Sequence, residues 1–155
     1  MEDGMREKLA VLKKAAAALN GADVTWCLGA SGLLYFKGLV ETFHDIDIMV
    51  TEEDTDKAEA VFLALGARRL PPNPDEKYRT RRFLEYAFEG VEFDVIAGFV
   101  IVNGGTEYDC SLTRDQIGEA AELEGVTVPL HSLALWKKYY SLMGREKRAA
   151  LLREY

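Results

Sequence analysis

Asp45 and Asp47 stand two positions apart in the stretch HDIDIMV, His44 to Val50, among Ile46, Ile48, Met49 and Val50. Carboxylates are poor strand formers and costly to bury, so a pair of them in an apolar run calls for a reason. Side chains alternate along a strand, which sends both aspartates to one face with their Cα atoms about 6.5 Å apart. Converging carboxylates at that spacing can share metal ions. Ile46 and Ile48 then face the core. Acid-x-acid pairs are common in a chain with 26 acidic residues, and Asp54-Thr55-Asp56, Glu107-Tyr108-Asp109 and Glu122-Leu123-Glu124 read as solvated surface. The apolar interleaving sets Asp45 and Asp47 apart from these.

A second stretch, Val91 to Ile96, has the same character. Val91, Phe93 and Val95 share one face, and Glu92 and Asp94 share the other. If this strand lies beside the first, three or four carboxylates gather on one sheet face. Such a group repels itself unless protonated or bound to cations, and an oxygen-only donor set selects Mg²⁺ or Mn²⁺. A polar, half-solvated sheet face is the alternative. Upstream, Trp26 to Gly32 reads as strand, small-residue turn and helix start. Backbone N–H groups of Gly29, Ala30 and Ser31 at such a turn suit phosphate oxygens, and the Ser31 hydroxyl adds a donor.

The elements that must position these groups follow from periodicity. Leu9, Leu12, Ala16 and Leu19 form the buried stripe of a first helix, Arg6 to Leu19, stopped by Asn20-Gly21. Val24 to Leu28 is a strand, Leu33 to Lys37 a helix, and HDIDIMV the next strand. Thr51 to Asp54 has the pattern of a capping box opening a third helix, with Ala58, Val61, Phe62 and Leu65 on its inner face and Gly66 at its end. Leu70-Pro71-Pro72-Asn73-Pro74 is a loop. Phe83 to Phe88 and Val91 to Ala97 form a hairpin around Glu89-Gly90, with Phe99 to Val102 as a continuation of its second strand. Val126 to Val128 is a short strand. Ser132 caps a helix that runs to Met143, Gly144 breaks it, and a last helix covers Glu146 to Arg153. The expected fold is a single α/β (α+β) unit, a mixed sheet flanked by helices over residues 1–128 with a helical tail over residues 129–155.

Composition narrows the partners. The chain has 155 residues, 48% hydrophobic and 29% charged, with a net charge of −7, so a nucleic-acid partner is disfavoured. Cys27 and Cys110 form no CxxC pair, which speaks against zinc or a disulfide framework and fits a cytoplasmic setting. No apolar run reaches membrane-span length, and Lys13 and Lys14 interrupt the amino-terminal stretch where a signal peptide would be apolar.

In order, Leu28 to Ser31, Asp45-Ile46-Asp47 and Asp94 resemble the signature of the nucleotidyltransferase superfamily related to DNA polymerase beta. Trp26 to Val50 with Val126 to Tyr155, including VPLHSL and Gly144 to Lys147, looks most like its small prokaryotic members. The resemblance implies transfer of a nucleoside monophosphate from an NTP to an acceptor, with release of pyrophosphate. Asp45, Asp47 and Asp94 would be the catalytic residues and the ligands of Mg²⁺ or Mn²⁺, with Asp94 helping to deprotonate the acceptor hydroxyl. Gly29, Ala30 and Ser31 would hold the nucleotide phosphates, and Lys137 and Arg145 are further nucleotide-contact candidates from the tail, where Lys138 also lies. Ala30 occupies a position that is usually Gly in the superfamily, and no Arg shortly precedes Asp45.

The remaining candidates have plainer readings. His44 reads as a core or loop-side histidine. Lys77, Arg79, Arg81 and Arg82 read first as a solvated edge and second as a triphosphate contact. Trp136, Tyr139, Tyr140 and Met143 fall at helical spacing and read as packing of the tail, and Trp26 and Cys27 as core strand residues. Two other functions share these features. One is a nucleotide-binding regulatory module without turnover, working with a second copy or a small protein partner as in a toxin–antitoxin pair, for which Ala30 is the argument. The other is a DxD glycosyltransferase, disfavoured by the short chain and by the Ser31 turn.

Overall fold

The computed structural model describes residues 3–72 and 79–155. In chain order the helices are α1 (Asp3–Gly21), α2 (Ala30–Phe36), α3 (Thr55–Ala64), α4 (Leu133–Leu142) and α5 (Glu146–Leu151). The strands are β1 (Trp26–Gly29), β2 (Ile46–Val50), β3 (Arg68–Arg69), β4 (Arg82–Phe88), β5 (Val91–Ala97), β6 (Val100–Asn103), β7 (Thr106–Asp109), β8 (Glu119–Leu123) and β9 (Val126–Leu130). Seven of them form one mixed sheet in the order β3-β4-β5-β2-β1-β9-β8, and β6 pairs with β7 apart from it. Within the large sheet β2 runs parallel to β5 and β1 parallel to β9, while the other neighbours are antiparallel. The mixed sheet with flanking helices is the expected fold class.

Strand alternation divides the sheet into two faces. One face carries Ile46, Ile48, Leu84, Tyr86, Phe93 and Val95, all buried. It is covered by α1, whose Leu12, Ala16 and Leu19 are fully buried, and by α3, whose Phe62 ring lies 4.9 Å from Tyr86 and 5.3 Å from Phe93 between centroids. Truncating a residue such as Leu12 to Ala would remove about 2–5 kcal/mol. The other face carries Asp47, Met49, Gly29 and Asp94. Part of it is roofed by Trp136 and Tyr139 of α4, packed with Phe99 just ahead of β6.

Three local expectations are corrected. Thr51 to Asp54 is no capping box: Glu52–Asp54 is a 3₁₀ turn, α3 starts at Thr55, and the Asp54 carboxylate accepts the Thr25 N–H at 2.7 Å. A tertiary bond to Thr25, the residue just ahead of β1, has replaced the local cap. Phe99 to Val102 does not continue β5, because Gly98 turns the chain with φ +62 and leads it into the β6–β7 hairpin. A Cβ at Gly98 would stand 2.7 Å from Glu52 Oε1 and 2.8 Å from Arg81 Cβ, so only glycine fits there. The strand expected at Val126 to Val128 extends to Leu130 and pairs with β8, so α/β structure reaches past residue 128 and the helical tail begins at α4. The other boundaries move by a few residues, and Ser132 caps α4 as expected, accepting the Leu135 N–H at 3.2 Å. Asn73, Pro74 and Lys77 lie outside the described residues.

Candidate active site

Four strands contribute one residue each to a single row across the sheet. Gly29 is the register partner of Asp47, Asp47 of Asp94, and Asp94 of Glu85. Neighbouring strands lie about 4.8 Å apart, so the row packs three carboxylates side by side next to a glycine turn. Asp47 and Asp94 are half-buried and hydrogen-bonded to each other. Asp45 stands one residue ahead of β2 and is exposed.

The electrostatics follow from this crowding. Burial raises the Asp47 carboxyl well above its ordinary range, the charges of Asp94 and Asp45 push it further, and Arg145 pulls it back. Asp94 is pushed up to about 7 by burial and then by the charges of Asp45, Glu85 and Glu92. The hydrogen bond raises Asp47 and lowers Asp94. Two adjoining carboxyls in this setting resist bearing both charges at once, so the pair retains a proton to higher pH than a solvated carboxyl does.

The donor set suits a hard divalent cation. It is all oxygen, two carboxyls are already in contact, and the proton they retain is what a cation would displace. Among the described residues no three His, Cys, Asp or Glu side chains converge as a preassembled metal cage, and Asp45 is the exposed member of the three aspartates.

The phosphate-turn candidates sit at one end of the row. Gly29 closes β1 with φ −118, Ala30 begins α2 with φ +50, and Ser31 is half-buried in its first turn. The left-handed backbone at Ala30 is the conformation that glycine adopts freely and an L-residue only at about 1–2 kcal/mol. The turn thus keeps a glycine shape with an alanine in it. Arg145 lies between α4 and α5, stacked 5.5 Å from the Tyr140 ring centroid, with its charge felt at Asp47. Lys137 Nζ donates to the Arg153 carbonyl at 3.0 Å, a contact within the tail.

Two members of the basic run, Arg81 and Arg82 at the start of β4, are in surface ion pairs. Arg81 bridges Glu52 and Asp109 at 3.2 Å each, and Arg82 meets Asp56 at 3.2 Å. His44 is exposed in the loop before β2, while Trp26, Cys27, Trp136, Tyr139, Tyr140 and Met143 are all buried.

Sequence reasoning passed over Glu85 and His131. Glu85 was within reach: a two-residue turn at Glu89-Gly90 fixes the hairpin register and sets it opposite Asp94. His131 is 3% exposed, accepts the Trp136 indole N–H at Nδ1 (3.0 Å) and reaches Gln116 Oε1 through Nε2 (3.1 Å). No sequence pattern announces that contact.

No protein-family model matches the chain, and no curated protein matches it significantly. Solved structures do. A candidate nucleotidyltransferase from Thermotoga maritima is 25% identical, with 96% of this chain and 92% of that chain covered and a TM-score of 0.75. The antibiotic-resistance factor ANT(2'')-Ia is 16% identical, with coverage of 95% and 83% and a TM-score of 0.66. The lincosamide antibiotic adenylyltransferase LnuA, solved with lincomycin bound, is 16% identical, with coverage of 87% and 89% and a TM-score of 0.57. At these identities the last two speak to the fold. The arrangement of sheet, turn and helices in this chain is the fold of the nucleotidyltransferase superfamily.

Proposed function

We propose that this chain transfers a nucleoside monophosphate from an NTP to a hydroxyl of a small molecule or a protein side chain, releasing pyrophosphate. The observation that carries the reading is the Asp47–Asp94 pair, two adjoining carboxyls on neighbouring strands beside the Gly29 turn. Asp45, Asp47 and Asp94 would hold Mg²⁺ or Mn²⁺, which when bound supplies neutralising charge at the attacking and leaving oxygens. The Gly29–Ala30–Ser31 turn orients the β and γ phosphates through its N–H groups and the Ser31 hydroxyl. Arg145 adds positive charge on the same side of the site.

Phosphoryl transfer keeps the attacking and leaving oxygens roughly in line. With the phosphates held at the Gly29 end of the row, the acceptor hydroxyl approaches from the other end, where Glu85 lies. Asp94 then stands between phosphate and acceptor, placed to take the hydroxyl proton. The free thiols of Cys27 and Cys110 suit a reducing cytoplasm, and no described helix is long and apolar enough to cross a membrane.

The test is incubation with Mg²⁺, α-labelled NTPs and pools of hydroxyl acceptors. Label transfer with pyrophosphate release, both lost in Asp47→Asn, is the expected result. NTP binding with no release from any pool would favour the regulatory-module reading. That reading draws on the Ala30 methyl at the phosphate turn.

A further inference from the structure

The glycine turn has a wall behind it. A Cβ built on Gly29 would stand 2.8 Å from Trp136 Cζ2, 3.2 Å from Trp136 Cε2 and 3.1 Å from Met49 Cγ. The benzo edge of the indole therefore presses on the turn at the distance where only a hydrogen fits. The indole itself is fixed from several sides. Its ring centroid lies 5.3 Å from both Tyr139 and Tyr140 and 6.1 Å from Phe99, and it is 2% exposed. Its single polar atom, Nε1, donates to His131 Nδ1.

His131 is framed in turn. With Nδ1 accepting, the ring carries its proton on Nε2 and donates to Gln116 Oε1, which also accepts the Thr113 N–H at 3.3 Å. Its own backbone N–H donates to the Leu28 carbonyl at 3.1 Å, directly before Gly29. One residue thus holds both the strand end that enters the turn and the indole that backs it. Beyond Gly29 the next residue, Ala30, keeps φ +50, a strained conformation that persists only where its surroundings over-determine it.

We propose that His131, acting through Trp136, is a positioning residue: it locks the indole against Gly29, and that wedge holds Ala30 in the left-handed conformation that sets the phosphate turn beside Asp47. The wedge explains how the turn keeps its shape with alanine where glycine would supply that shape freely. Its link to nucleotide binding rests on the proposed function, while the link between Trp136 and the backbone at Ala30 does not.

The experiment has two independent readouts. The first is NMR of the ligand-free protein, following the Ala30 amide shift and its φ-dependent three-bond coupling. The second is calorimetric affinity for adenosine 5′-(α,β-methylene)triphosphate with Mg²⁺. Gly29→Ala is expected to move the Ala30 resonance and to weaken analogue binding about tenfold. Adding Trp136→Phe, which removes the benzo edge, is expected to restore both. His131→Leu removes the acceptor for the indole N–H and should reproduce the Gly29→Ala changes. His131→Asn, which keeps an acceptor near the Nδ1 position, should largely avoid them. Where Gly29→Ala does not fold, the contrast between His131→Leu and His131→Asn still decides.

An Ala30 coupling unchanged in His131→Leu, or losses in the Gly29→Ala/Trp136→Phe double variant that simply add, would overturn the proposal. If the wild-type chain does not bind the analogue, the proposed function fails, and the Ala30 coupling alone still upholds or rejects the wedge.

Discussion

Asp94→Asn should stabilise the metal-free protein, and by an amount that depends on pH. Asp94 has its pKa pushed up to about 7 from 3.8, so the fold binds a proton there that the unfolded chain releases. The sign follows by linkage. A carboxyl with a raised folded pKa leaves stability intact below the unfolded pKa, and stability is then lost as pH rises toward the folded value. The full difference from 3.8 to about 7 corresponds to about 4 kcal/mol. Asp94 is only half-buried, so solvent screening reduces the realistic gain to about 1–2 kcal/mol. The asparagine amide is neutral and can still hydrogen-bond to Asp47. The variant should therefore match the wild type near pH 4 and exceed it at pH 8, by about 2–8 °C in melting temperature for a chain of this size. Thermal melts in chelator at pH 4, 6 and 8 measure this. A variant less stable than wild type at pH 8, or a difference that does not change with pH, would refute the mutual repulsion on which the site reading rests.

Other predictions follow from the same structure. Ala30→Gly relieves the left-handed strain and should raise stability by about 0.5–1 kcal/mol, read by urea titration, with the analogue still bound. His131, lowered to about 4 from 6.5 by burial, is neutral in the fold, so its contribution is complete above pH 6.5 and falls away as pH drops toward 4. That loss is about 3 kcal/mol, and denaturant melts from pH 7 to pH 4 should show it in the wild type and not in His131→Asn. Arg81→Ala, which removes exposed ion pairs to Glu52 and Asp109 and a hydrogen bond to Ser111, should leave analogue affinity unchanged in calorimetry.

The parts legible in the sequence were those with a strong local signal. Alternation around Asp45-Ile46-Asp47 and Glu92-Phe93-Asp94 identified both inner strands and the shared polar face, and Glu89-Gly90 identified the hairpin that brings Glu85 opposite Asp94. β8 was missed because Glu119-Ala120-Ala121-Glu122-Leu123 has helix formers at every position, and only pairing with β9 makes it a strand. The β6–β7 hairpin was legible in Gly104-Gly105, its two-residue turn between the paired Asn103 and Thr106, and was passed over; the break from β5 at Gly98 was not legible, because its left-handed turn packs against Glu52 and Arg81, distant in sequence. Thr51 to Asp54 carried a local capping signal, and a long-range bond to Thr25 overrode it. At the site, side-chain types marked Asp47 and Asp94. The contact of Trp136 with Gly29 and the hold of His131 on Trp136 depend on how α4 crosses the sheet, which no spacing along the chain encodes.

The central claim is that Asp47 and Asp94 are a divalent-cation pair at a nucleotide site. Mn²⁺ binding followed by electron paramagnetic resonance, with and without adenosine 5′-(α,β-methylene)triphosphate, tests it most directly. The analogue should tighten Mn²⁺ binding in the wild type, and Asp47→Asn and Asp94→Asn should each abolish the effect while the folded state is retained. Mn²⁺ binding that is the same in all three proteins would contradict it.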